Sequence, residues 1–298
     1  QNGQPFFGEV VISSPSGPYL IMEDVAVGDE NGNNNGFADF GESIKLEITL
    51  DNVGNGDAEN TVSVLVGDDE YLEITKDEHL WPTIPGQSQL TEEEVFSMTI
   101  ADDVPDQHTV LFDIEIESPT REVWTYGYEL VINAPVLTIG GMIVDDSQYG
   151  NDNGRLDPGE TATLKVINRN TGHCETHNTE AQLSSMSQYL SFTNNSYSIG
   201  TLGLLGLKYA EFEVVVDPDA PDGAAIAEFD YTVFSGEYSA SKVFSKKIGL
   251  IVEDFETGDF TRFEWEMGGD LPWQISNYYP FEGIYSAKSG AITDNQKS

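Results

Sequence analysis

The segment Asp29–Glu42, DENGNNNGFADFGE, packs oxygen-bearing side chains and glycines into the approach to an alternating stretch, SIKLEITL. Counted from Asn31 as position 1, it puts Asn33 at 3, Asn35 at 5, Gly36 at 6, the Phe37 carbonyl at 7, Asp39 at 9 and Glu42 at 12. That is the spacing of an EF-hand-like calcium loop: alternating side-chain oxygens, a glycine at the sharp turn, a mid-loop carbonyl and a late carboxylate. Three early amides leave such a site poor in charge, so Asp29 is expected to add a carboxylate. The flanks are not those of an EF-hand, because a strand pattern follows Glu42 and no helical pattern precedes Asp29.

The pattern occurs twice. Gly32, Asn33, Asn35, Gly36, Asp39, Gly41 and Glu42 reappear 118 residues later as Gly150, Asn151, Asn153, Gly154, Asp157, Gly159 and Glu160. Tyr149 holds position 1 of the second copy and cannot ligate as Asn31 would. Asp145 or Asp146 is therefore expected to substitute, alongside Asn151, Asn153, the Arg155 carbonyl, Asp157 and Glu160. Asn, Asp and Gly also tolerate left-handed turns without binding anything. Retention of both late carboxylates across two diverged copies favours calcium, at two sites, over a plain turn. Magnesium fits less well, since it prefers few protein ligands and retained water.

Composition points the same way. With 13 basic against 52 acidic residues the formal charge is -39, which repels phosphate and anionic headgroups and favours cations. Neither nucleic acid nor membrane insertion is expected. Cys174 is the only cysteine, so no intrachain disulfide staples the fold, and calcium would take that role. Free calcium at millimolar levels places the chain outside the cytoplasm. The GHCETH motif offers Cys174 with His173 or His177 as nucleophile and base or as a partial zinc site. Adjacent His and Cys point apart in an extended chain, and the matching segment of the first copy, NGDAEN, has neither residue. No catalytic residue and no organic cofactor is expected. Trp81, beside Pro82 in a loop, is the one tryptophan to test for stacking on a sugar; Trp124 alternates with Tyr126 and Tyr128 in a strand, and Trp265 and Trp273 fit a core.

These loops need a rigid scaffold, and the rest of the chain supplies an all-β pattern. Ile44, Leu46, Ile48 and Leu50 alternate with polar residues, as do Val110, Phe112, Ile114 and Ile116; Ala162, Leu164 and Val166, then Ile226, Phe229, Tyr231 and Val233, take the matching places. About seven strands per copy suit an immunoglobulin-like or fibronectin-like sandwich. The expected organisation is an extension from a preceding domain over 1–18, sandwich repeats over 19–134 and 135–252, and an incomplete further domain over 253–298. A short linker at Pro135 should set the two copies end to end as a semi-rigid rod. The chain begins at Gln1 and reads as an internal piece of something longer.

The pattern Gly-Asn-x-Asn-Gly-x-x-Asp-x-Gly-Glu, followed by a strand and then NVGNGDAENTVSVL, resembles the modules that follow the catalytic domain in gingipain-like cysteine peptidases, secreted surface proteins of the type IX route. The final segment, with EDFETGDF, PWQIS and EGIYSAKSGAITDNQKS, resembles the start of a cleaved-adhesin or MAM-like jelly roll. The resemblance implies a non-catalytic accessory, spacer and adhesion region at the bacterial surface. Its covalent partner would be an upstream peptidase domain, and its external partners host or matrix proteins. A lectin-like glycan-binding module is the alternative.

Overall fold

The computed structural model describes residues 15–119, 122–221, 223, 225–250, 255–280 and 283–297. Most of the 1–18 extension and the ends of the final segment lie outside these. Every regular element among the described residues is a strand, so the class is all-β. None of the described residues forms a helix long and apolar enough to cross a membrane.

The first repeat contains β1 (Leu20–Gly28), β2 (Ala38–Asp39), β3 (Ser43–Asn52), β4 (Val62–Val66), β5 (Leu72–Lys76), β6 (Glu78–Leu80), β7 (Ser88–Ile100), β8 (His108–Glu117) and β9 (Val123–Asn133). The second contains β10 (Leu137–Asp145), β11 (Thr161–Asn170), β12 (Thr179–Ser184), β13 (Leu190–Phe192), β14 (Ser196–Gly200), β15 (Leu207–Val216), β16 (Ala225–Ser235) and β17 (Tyr238–Ile248). Nine and eight strands exceed the seven expected, because short edge strands of two to five residues carry too little pattern to be counted. Sheet orders β1-β3-β7-β5 and β9-β8-β4-β6 in the first repeat become β10-β11-β15-β13 and β17-β16-β12-β14 in the second. β2 adds to the edge of β9 in parallel, and a single parallel bridge, Leu156 to Ile248, stands in its place in the second copy.

Alternation dictates the packing. On β3, Ile44, Leu46, Ile48 and Leu50 are all buried against Val110, Phe112, Ile114 and Ile116 of the facing sheet's β8 in one core cluster. Removing one such side chain from water is worth about 1.5–3 kcal/mol. The second core is built from Ala162, Leu164 and Val166 with Ala227, Phe229, Tyr231 and Val233. Ile226 is 60 % exposed, contrary to expectation. It is three residues before Phe229, and period-two alternation puts it on the outer face while Ala227 takes the inner one.

The candidate for sugar stacking is also corrected. Trp81 is only 2 % exposed, and its indole N–H donates to Ser63 Oγ at 2.6 Å, so no face is offered to a sugar. Cys174 lies in a loop but is buried. Beyond the second repeat, β18 (Gln274–Ser276) and β19 (Ser286–Lys288) pair as a hairpin. Phe255, Phe260 and Trp265 cluster with ring centroids 6.1–6.3 Å apart. Trp265 and Trp273 remain 46 % and 42 % exposed, because so short a segment supplies few partners to cover them.

Candidate metal centre

Each acidic loop leads into the strand that enters its sheet, β3 or β11, and its backbone makes room for carboxylates. Asn34, Gly36 and Gly41 have φ of 58°, 80° and 71°; Asp152, Gly154 and Gly159 follow at 60°, 72° and 83°. The left-handed turns are thus reproduced position by position, and at four of these six places glycine removes their steric cost. Gly32 meets a second demand, since a Cβ there would lie 2.1 Å from Glu42 Oε1.

In the first loop Asp29 Oδ2 accepts the Asn35 N–H at 2.8 Å and Oδ1 the Gly36 N–H at 3.2 Å. Glu42 Oε1 accepts from Asn33 N–H at 2.9 Å and Oε2 from Asp39 N–H at 3.2 Å. The side-chain amides of Asn33 and Asn35 both reach Asp39 Oδ2, at 2.6 and 2.8 Å. Their amide oxygens accept the N–H groups of Asn35 and Phe37. The second loop repeats the scheme. Asp146 accepts from Asn153 and Gly154 N–H at 3.0 and 2.9 Å, and Glu160 Oε1 accepts from Asn151 N–H at 3.1 Å. Asn151 and Asn153 amides reach Asp157 Oδ2 at 2.9 and 2.6 Å, and Arg155 N–H donates to Asn153 Oδ1.

The structure therefore links Asp29, Asn33, Asn35, Asp39 and Glu42 in one hydrogen-bonded network, and Asp146, Asn151, Asn153, Asp157 and Glu160 in another. Phe37 and Arg155 join through their N–H groups. Asn31 is exposed and lies at the rim. Asp145 stands apart: Lys165 Nζ at 2.7 Å and Ser147 Oγ at 2.6 Å hold it, and the Lys165 hydrogen bond is the main cause of a carboxyl lowered to about 2. Asp146 takes the place of Asp29 because the second loop is one residue longer between that aspartate and its glycine: Gly150 N–H returns to the Asp146 carbonyl, whereas Gly32 N–H returns to that of Asp29.

Electrostatics make both clusters anionic. Asp29, Asp39, Glu42 and Asp146 are buried. Among the described residues, the one Lys or Arg within salt-bridge reach of either cluster is Arg155, an exposed residue 4.0 Å from Asp157. Burial raises the Glu42 carboxyl, with the charges of Asp39 and Asp29 adding to it. Burial, then Asp157 and Asp146, raise Glu160. Glu160 Oε2 is buried with no hydrogen-bond partner, and an unmatched buried carboxylate oxygen is costly. Among the described residues no three His, Cys, Asp or Glu groups converge closely enough to hold a metal by themselves. A cation would have to draw on amide and carbonyl oxygens too, which is the chemistry of a hard, flexible oxygen site rather than of zinc.

Cys174 is a free, buried thiol. Burial pushes its thiol well above the usual range, and the negative charge of Asp39 raises it further; a neutral thiol is a poor nucleophile. His173 Nδ1 pairs instead with Asp106 Oδ2 at 2.8 Å.

Sequence reasoning missed a second duplicated device. Buried Asn52 accepts the N–H groups of Tyr19 and Gly54 and donates to the Gly56 and Ile84 carbonyls. Asn170 does the same with Val136, Gly172, Cys174 and Leu202. The Asn-x-Gly pair at the same offset of 118 was the available signal.

No protein-family model and no curated protein sequence matches the chain. Among the solved structures that are similar in part are the following three. A red sea bream transglutaminase aligns at TM-score 0.31 and 12 % identity over 77 % of this chain, which spans 31 % of that protein. A protein of unknown function from Porphyromonas gingivalis aligns at 0.23 and 12 % over 72 % of this chain and 94 % of that one. The C-terminal domain of the Streptococcus agalactiae AgI/II polypeptide BspA aligns at 0.36 and 10 % over 75 % and 99 %. At TM-scores this low the likenesses transfer no residue role.

Proposed function

We propose that this chain is a non-catalytic, calcium-stabilised spacer region of a secreted bacterial surface protein, acting as the accessory modules of a gingipain-like cysteine peptidase. The observation that carries the calcium reading is the doubled carboxylate cluster: buried or half-buried acids without a buried cationic partner, one of them with an oxygen bonded to nothing. Asp29, Asp39 and Glu42, with the amide oxygens of Asn33 and Asn35, would hold one ion; Asp146, Asp157 and Glu160, with Asn151 and Asn153, the other. Each ion would supply positive charge and tie its loop to the sheet. Asn amides now make two hydrogen bonds to each late aspartate and would turn their oxygens to an entering cation.

The accessory role is supported by the tandem arrangement and by the burial of the one cysteine, which raises its thiol pKa. The peptidase context and type IX route rest on the motif resemblance alone. Burial of Trp81 removes the residue that favoured glycan binding. Incubation of the chain with casein and with arginyl and lysyl peptides should give no cleavage; cleavage lost in Cys174→Ala would overturn the reading.

A further inference from the structure

The first loop is wired to the second sandwich. Asp39 belongs to β2, which pairs with Ile132 and Asn133 at the end of β9, where the chain leaves the first sandwich. Asp39 Oδ2 serves the loop amides while Oδ1 accepts from Asn133 Nδ2 at 3.0 Å. The next residue, Phe40, packs between His177 and Tyr238 of the second sandwich, at 5.7 and 5.1 Å between ring centroids. Tyr238 O–H donates back to the Val104 carbonyl at 2.8 Å. A cleft of about 310 Å³ runs between Asn31, Asn33 and Asp39 on one side and Cys174 and His177 on the other. The second loop lacks this wiring: Gly249 N–H reaches the Leu156 carbonyl, but glycine holds the position of Asn133 and has no side-chain amide.

We infer that the first loop is an orientation lock, in which a divalent cation fixes the angle between the two sandwiches through Asp39, Asn133 and Phe40. This rests on the calcium reading of the loops and adds to it the element that the ion controls. One carboxylate serves both the loop amides and Asn133 at the exit of the chain, so an ion that orders Asp39 would order Asn133 with it. An ion that binds the closed junction better than the open one shifts the population toward closure. By linkage, closure tightens binding at the first loop by the same factor.

Cys174, the only cysteine, reports on the junction because it is buried there. Its modification by a maleimide in the full chain should slow at least about tenfold when calcium replaces chelator, a factor within the usual range of site coupling, with a narrower interdomain distribution in small-angle scattering. Asn133→Ala should keep two calcium sites by calorimetry, the first weakened by about the same factor, and lose the slowing and the narrowing. Should that variant fold poorly, Tyr238→Phe, which deletes only the hydroxyl, should weaken the first site and leave the second unchanged. If calcium binds both loops while Cys174 reactivity and scattering stay as in chelator, or Asn133→Ala behaves as wild type, the lock is refuted and the calcium sites stand. No binding at millimolar calcium removes the calcium reading and the lock with it.

Discussion

Glu160→Gln separates a cation ligand from a turn-capping carboxylate, because the two oxygens of Glu160 are unequally used. Oε1 accepts the Asn151 N–H, and Oε2 is buried with no partner. Glutamine keeps the first bond with its carbonyl and gives up at most a weak approach of the Asp157 N–H. In chelator the substitution should therefore leave stability unchanged or raise it slightly, since a carboxylate facing Asp157 and Asp146 is gone. In calcium the variant loses an anionic ligand. An ion at about 100 times its dissociation constant stabilises by about 2.7 kcal/mol, and a loss of that size lowers the melting temperature of a domain this long by roughly 8–15 °C. Scanning calorimetry of wild type and variant, in millimolar calcium and in excess chelator, reads both effects. An equal loss in the two conditions would show that Glu160 only caps the strand end. Glu42→Gln is a blunter probe than its spacing suggested: both oxygens accept backbone N–H groups, so a cost of about 1–3 kcal/mol should persist in chelator.

Acidity supplies a second test. Glu42 and Glu160 are raised by folding, so their contribution is fully present below the unfolded carboxyl pKa and is lost as pH rises through the folded value. As pH falls toward the ordinary glutamate range, chelator-treated protein should gain stability relative to the double glutamine variant, and calcium-loaded protein should lose it; urea titrations that show no difference between wild type and variant would contradict this. Trp81→Ala should cost about 3–5 kcal/mol by opening a core cavity, measured by chemical denaturation. A loss below about 1 kcal/mol would mean that Trp81 is not the packed residue described.

The sheet faces were legible because burial on one side forces strict alternation, as in Ile44–Leu50 on β3. The loop chemistry was legible because duplication preserved Asp39 and Asp157, Glu42 and Glu160 at one offset. What escaped depended on phase or distance. A one-residue difference in loop length hid the match of Asp146 to Asp29, and a slip of one residue put Ile226 on the wrong face. Trp81 does lie in a loop just past β6, and its burial escaped notice because its partner, Ser63, lies 18 residues earlier on β4. Cys174 and His177 sit more than 130 residues from Asp39, and only the packing of one sandwich on the next brings them to its loop. No pattern in either segment marks that contact.

The central claim is that the two loops hold calcium. Titration calorimetry of chelator-stripped protein measures it directly. Two calcium ions per chain, with magnesium much weaker, and one ion per chain in Glu160→Gln are the predicted results; absence of binding at millimolar calcium would reduce both loops to hydrogen-bonded turns.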